Sequence, residues 1–220
     1  MFTEDQILRA PSSNLMNKLA RSVLTLYSYD PDPETMTLEN ELRLAMGLIA
    51  RTPIIVAHGY AAKRCYIDGG SLYLHRAMPH KGTAENFLAA SRDDRKYSDE
   101  EAKLLDLCLV LHAEHGGGNN STFSTRVISS SYTDIFSAIA AGVGALKGPR
   151  HGGANIRCKE MVDVVAENTK DWNDDDEIRS VLVRILNKEL GDGSGLIYGM
   201  GHAVYTISDP RAKVLKRFAR

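Results

Sequence analysis

The chain has 220 residues, 43% of them apolar and 25% charged, with a net charge of −1. That is enough for one large or one and a half ordinary globular domains, and no chain-wide charge suits nucleic acid or an anionic membrane. Three widely spaced cysteines, Cys65, Cys108 and Cys158, do not form a disulfide framework and fit a reducing, cytoplasmic compartment.

The opening MFTEDQILRA lacks the basic start and apolar run of a signal peptide and reads as though the chain begins mid-protein. Ser12 or Ser13 is expected to cap a helix to about Tyr29, with Leu15, Leu19, Val23, Leu26 and Tyr27 near one face. Asp30-Pro31-Asp32-Pro33 forms the loop after it. Thr37 precedes a long helix, Leu38 to about Cys65, in which Pro53 is expected to kink or split the element. The piece IIVAHGYAA is apolar all round, as expected of a helix buried by other helices or by a second subunit. No apolar run approaches the ~20 residues of a membrane span.

Residues 66–82 read as a loop, and Thr83 as the cap of a short helix to Ala90. Ser98 and Glu101 form a capping box for the apolar helix that delivers His112 and His115. Gly116 to Gly118 stop it, and a helix starts at Ser121 or its neighbours. Asp134 caps IFSAIAAGVGALK, which Gly148-Pro149 breaks. The helix after His151 should bury Ile156, Met161, Val162 and Val165. Asp174 or Asp175 caps a helix to about Leu190, and Pro210 at N1 opens a last one. No stretch alternates with strand period, so the expected class is all-α.

His115, His151 and His202 each stand beside a glycine turn, in HisGlyGlyGly, HisGlyGly and GlyMetGlyHis. Glycine near a helix costs about 1 kcal/mol against alanine, so packing alone does not ask for this pattern. The spacing leaves two readings: a shared small-molecule site, or three capping or surface histidines. His112 and His115, three apart on a helix, could face one metal ion with Glu114 near. No HExxH pattern or spaced carboxylate completes such a site, so no metal is expected, and a metal hydrolase stays only as a rival. The triple glycine lacks the Lys-Ser/Thr of a phosphate loop. Arg211 could hold a carboxylate at a helix start, or simply pair with Asp209.

Together LHAEHGGGNNS, GPRHGGAN and YGMGHAVYTISDPRA resemble, in order and separation, the three motif blocks of citrate synthases. The resemblance covers nearly the whole chain and is nearest the bacterial, clostridial-type branch. It implies an all-α, multi-helical fold, with residues 1–152 in the large, dimer-forming domain and 153–220 at the beginning of the small domain. The hinge would lie near His151 to Asn155. The implied activity is condensation of oxaloacetate with acetyl-CoA to citrate and CoA, an acyl transfer of the tricarboxylic acid cycle with acetyl-CoA as co-substrate and no further cofactor.

By the same resemblance, His115 and Arg211 would hold oxaloacetate, and His202 would polarise its carbonyl and serve as acid. His151 would hydrogen-bond the acetyl oxygen as the enol forms. The positive end of the helix it precedes suits an imidazole that donates a hydrogen bond. Ser121 would lie on the acetyl-CoA side. The backbone of Leu196, Ile197, Tyr198, Gly199, Met200 and Gly201 would contact CoA. Gly116 stands where many relatives have an acid, and Thr206 where some have an arginine for a CoA phosphate. The aspartate that takes the methyl proton lies in a block after the last motif here. The resemblance therefore implies a central fragment that is inactive by itself. A homodimer through IIVAHGYAA and the helix 135–147 is expected. The alternatives are a 2-methylcitrate synthase using propionyl-CoA and a non-catalytic helical binding or dimerisation module.

Overall fold

The computed structural model describes residues 2–113, 116–200 and 206–218, and among these no residue lies in a strand. The helices are α1 (Leu15–Thr25), α2 (Leu38–Tyr66), α3 (Thr83–Ser91), α4 (Asp99–His112), α5 (Asn120–Ser129), α6 (Ile135–Leu146), α7 (Gly153–Asn168), α8 (Asp175–Leu186) and α9 (Pro210–Lys216). The chain divides into two compact units, Met1–Leu146 with Val214–Arg220, and Lys147–Lys213.

In the first unit α1 packs on α2 and α6, α2 on α3, α3 on α4, and α5 on α6. The core is Ile7, Val23, Leu26, Leu44, Leu48, Ile55, Ala62 and Phe136. The expected face of α1 is therefore right at Val23 and Leu26. Its cap is not Ser12 or Ser13. Asn14 accepts the Asn17 N–H at 2.8 Å, while Ser12 braces Asn14. The α-helix ends at Thr25, and Leu26–Tyr29 tightens to 3-10 geometry.

Thr37 caps α2 as expected, accepting from the Asn40 N–H at 3.3 Å. Pro53 does not split this helix, which runs unbroken for 29 residues. Leu44 and Leu48 before the proline, and Ile55, Ala57 and Ala62 after it, are all buried. Burial on both sides outweighs the one hydrogen bond that proline removes. By length and composition α2 could cross a membrane, so the sequence expectation on apolar runs was too strict. Its Leu44, Leu48, Ile55 and Ala62 nevertheless belong to the core cluster.

The Ser98–Glu101 box closes as expected: Ser98 Oγ accepts from Glu101 N at 3.1 Å, and Glu101 accepts from Ser98 N at 2.8 Å. At α3 the cap is Gly82 rather than Thr83, with Glu85 accepting the Gly82 N–H at 2.9 Å. Asp134 starts α6 by accepting from Ser137 N at 2.8 Å. The helices expected to mediate dimer contact are largely used within the unit, since Ile55, Ala57, His58, Ala62, Phe136 and Ala138 are buried there. Apolar side chains are instead exposed on the outer face of α2 (Leu42, Met46, Ile49) and on α4 and α5 (Val110, Phe123, Val127).

In the second unit α7 and α8 pack around Val165, Val181 and Ile185, flanked by Met161, Val164, Leu182, Leu190 and Ile197. Met161 and Val165 fulfil the expected α7 face, but Ile156 and Val162 point outward, 62% and 47% exposed. Asp174 caps α8, accepting from Asp176 N and Glu177 N at 2.9 and 3.2 Å. That helix stops at Leu186, short of the expected Leu190, because Lys188 adopts a left-handed φ of 65°. Asp209 and Pro210 open α9 as expected, with Arg211 N donating to Asp209 at 2.8 Å.

Candidate active site

His115, His202 and Gly201 lie outside the described residues. The neighbourhoods of the other expected site residues are defined. Gly116, directly after His115 in sequence, takes a left-handed φ of 75°. Asn119 caps α5, accepting from Thr122 N at 3.1 Å, which puts half-buried Ser121 in the first turn of that helix.

In the second unit the carbonyl of Gly148 accepts two backbone N–H groups, from His151 at 3.0 Å and Gly153 at 3.2 Å. Sharing one acceptor curls residues 148–153 tightly and sets His151 two residues ahead of α7. Gly152 is the N-cap of α7 and has no side chain to offer its first turn. The positive end of the helix is therefore uncapped by any side chain from that position, close in sequence to the half-buried His151.

The segment 196–200 leans on the same helix. Ile197 packs with the α7–α8 core, while Leu196 and Met200 are exposed. Tyr198 is held at three points. Its N–H donates to Met161 Sδ at 3.2 Å, its carbonyl accepts from Cys158 Sγ at 3.7 Å, and its hydroxyl donates to Asp192 Oδ2 at 2.7 Å. Asp192 also lies 3.7 Å from Arg157. Hydrogen bonds from the Ser194 hydroxyl, Tyr198 and the Ser194 backbone, helped by Arg157, lower the Asp192 carboxyl to about 2. A cavity of about 230 Å³ sits beside this arrangement, with Met161, Val164 and Ile185 among its lining and Arg157 and Asp192 at its polar side.

Arg211 is engaged by Asp209. Nε donates to both carboxylate oxygens at 3.1 Å, and Nη2 donates to Oδ2 at 2.6 Å. The pair that the sequence offered as an alternative to substrate binding is thus formed. It also fixes the guanidinium in one orientation. His112 is occupied by its own helix, with Nδ1 2.6 Å from the Cys108 carbonyl. Among the described residues no group of three or more His, Cys, Asp or Glu side chains could hold a metal ion.

Sequence reasoning had named Cys158 only as a free thiol and Met161 only as a core position, and had not singled out Arg157 or Asp192. Only Asp192 gave a local signal, the Asp-Gly-Ser turn in which Ser194 N donates to its carboxylate at 3.0 Å.

Residues 2–220 match the family described as citrate synthase, C-terminal domain. The chain belongs to the citrate synthase family. It is 35% identical over 205 residues to a citrate synthase of Deinococcus radiodurans, covering 93% of this chain and 49% of that protein. It is 34% identical over 212 residues to 2-methylcitrate synthase 1 of Corynebacterium glutamicum, covering 93% and 50%. Among solved structures, the citrate synthase of Pyrobaculum aerophilum matches with a TM-score of 0.76 at 29% identity, over 99% of this chain and 52% of that one. The citrate synthase of Thermoplasma acidophilum, solved as a ternary complex with carboxymethyl coenzyme A and oxaloacetate, matches with a TM-score of 0.73 at 26% identity, over 97% and 51%. The chain thus spans about half the length of the relatives it matches. The sequence expectations of family and all-helical class agree with these matches.

Proposed function

We propose that this chain supplies the substrate-holding part of an acyltransferase that condenses acetyl-CoA with oxaloacetate to citrate and CoA. The observation that carries the reading is its likeness to the Thermoplasma acidophilum enzyme, whose complex contains oxaloacetate and a coenzyme A analogue. His115 and Arg211 hold oxaloacetate. His202 polarises its carbonyl and serves as acid, and His151 donates a hydrogen bond to the acetyl oxygen as the enol forms. Ser121 and the backbone of 196–201 face acetyl-CoA.

Residues 1–152 act as the core of the large domain and 153–220 as the beginning of the small one. The exposed apolar faces of α2, α4 and α5 support a homodimer in the cytoplasm, where Cys65, Cys108 and Cys158 remain free thiols. The reaction needs no metal or further cofactor. On this reading these 220 residues by themselves bind without turnover.

Calorimetric titration with oxaloacetate and with CoA, beside an assay for CoA release, tests this. Binding of both without CoA release is the expected result. Failure to bind either sinks the substrate assignment, and steady CoA release sinks the inactivity. His202→Ala in the whole protein should abolish condensation, and unchanged activity there would remove that histidine from the chemistry.

A second reading is supported by the likeness to 2-methylcitrate synthase 1: propionyl-CoA in place of acetyl-CoA. One methylene is worth about 1–3 kcal/mol in a fitted pocket. Competition between the two thioesters for the whole protein ranks them. The non-catalytic dimerisation module is excluded if His202→Ala removes activity.

A further inference from the structure

The backbone of Tyr198 is held by two sulfur atoms from one helix. Met161 Sδ accepts its N–H at 3.2 Å, and Cys158 Sγ donates to its carbonyl at 3.7 Å. Residues 158 and 161 are three apart, so they share a face of α7. The next residue, Gly199, has a φ of 81°, and a Cβ added there would sit 2.9 Å from the Cys158 sulfur. The segment therefore lies directly against the thiol, with no room between them for a side chain at 199. Arg157 on the same helix stands 3.7 Å from Asp192, which in turn holds the Tyr198 hydroxyl. The N–H, carbonyl and side chain of Tyr198 thus all refer back to α7.

The same helix begins two residues after His151. From Gly153 to Met161 the helix rises about 12 Å at 1.5 Å per residue. One rigid element thereby links the turn that carries His151 to the support of residues 196–200.

We propose that Cys158 and Met161 are positioning residues that set the CoA-contacting segment at a fixed distance from His151. The inference rests on the reading above, in which 196–201 contacts CoA and His151 meets the acetyl oxygen. The two sulfurs touch neither ligand. They fix the backbone amide and carbonyl on either side of which the segment presents its groups to CoA. Sulfur suits the task because a thioether accepts and a thiol donates, while both fill apolar space beside the α7–α8 core.

The test is isothermal titration of the 220-residue chain with CoA and, separately, with oxaloacetate. The variants are Met161→Leu, Cys158→Ala and Cys158→Ser, each with its unfolding midpoint measured. Met161→Leu conserves volume and removes the acceptor. Cys158→Ala removes the donor, and Cys158→Ser restores one. Each of the first two should weaken CoA by about five- to tenfold, the loss of roughly one hydrogen bond. Oxaloacetate affinity should stay unchanged, and Cys158→Ser should regain most of the CoA affinity. Wild-type affinity for CoA in Met161→Leu and Cys158→Ala would overturn the inference and leave the CoA reading standing. Equal losses for both ligands, tracking a lower unfolding midpoint, would also overturn it, as the mark of general destabilisation. If the wild-type chain binds no CoA, the underlying reading fails and the inference falls with it.

Discussion

Lys18 donates from α1 to the carbonyl of Ala10 at 2.9 Å, and also to the carbonyl of Gln6. Its side chain is buried, with the residue only 2% exposed. The amine closes the end of the π-type turn Thr3–Leu8, where backbone acceptors lack helical partners. Burial, with repulsion from Arg21 added, lowers its pKa from 10.5 to about 8.

The folded chain thus releases this proton more readily than the unfolded chain does. Between about pH 8 and 10.5 the unfolded state binds more protons, so stability from this group rises with pH and is lost as pH falls through 8. Lys18→Met removes the titration and strands the two carbonyls. It should destabilise by roughly 1–3 kcal/mol at the alkaline end and by less near neutrality. Urea unfolding of both proteins across that range checks the claim, and parallel pH profiles would refute it.

Ile7 stands on the turn that Lys18 closes and is 1% exposed, among the most buried side chains described. Ile7→Ala should cost about 2–5 kcal/mol, read from the urea midpoint at constant slope. A loss below 1 kcal/mol (about a surface value) would mean that the turn is peripheral to the core.

Neither residue was legible in the sequence, and the reason is physical. The pattern TEDQIL has only two adjacent apolar residues, Ile7 and Leu8, and no period, and its partners come from α1 and α2. By contrast the Ser98–Glu101 box, the Asp134 cap and the Thr37 cap were legible because each is closed within three residues. Where the sequence offered adjacent candidates, as with Ser12, Ser13 and Asn14, local chemistry did not separate them. Pro53 does not split α2 because its cost is local, whereas the burial that offsets it is spread over Leu48, Ile55 and Ala62.

The site residues were read in another way. His115, His151, His202 and Arg211 were taken from motif blocks, and the family that residues 2–220 match is the one those blocks resemble. The anchors Cys158 and Met161 were hidden because they act across 40 and 37 residues of chain. Period-counting instead placed Ile156 and Val162 on the buried face, whereas both are exposed.

Asp192 gives a prediction at the opposite end of the pH scale. Its carboxyl is lowered to about 2, first by the Ser194 hydroxyl and then by Tyr198. The depressed value means that its contribution is fully present above the ordinary value of about 3.9 and is lost as pH falls through about 2. Carbon-detected NMR of the side-chain carboxyl should show titration well below that of an unperturbed aspartate. Asp192→Asn should lack this acid step and loosen Tyr198, whose hydroxyl then donates to an uncharged oxygen. A midpoint near 3.9 would show that the Ser194–Tyr198–Asp192 cluster does not persist in solution.

Gly142 on α6 lies directly against Thr125 on α5. A Cβ at this position would collide with Thr125 Oγ1 and would lie 3.5 Å from the Ser121 carbonyl. Gly142→Ala gains helix propensity of about 1 kcal/mol but must push α5 away or twist Thr125 off its rotamer, at about 1–3 kcal/mol. The steric cost should win, leaving the variant less stable. Thr125→Ala removes the obstructing hydroxyl, so the double variant should recover much of that loss. Neighbouring substitutions are expected to couple in this way, whereas independent ones would add. A double-mutant cycle on unfolding free energy decides it. Strict additivity would show that α5 and α6 are not pressed together at this point. Ser121 lies one turn before Thr125 on the same face of α5, so this contact also sets how closely that part of the helix meets α6.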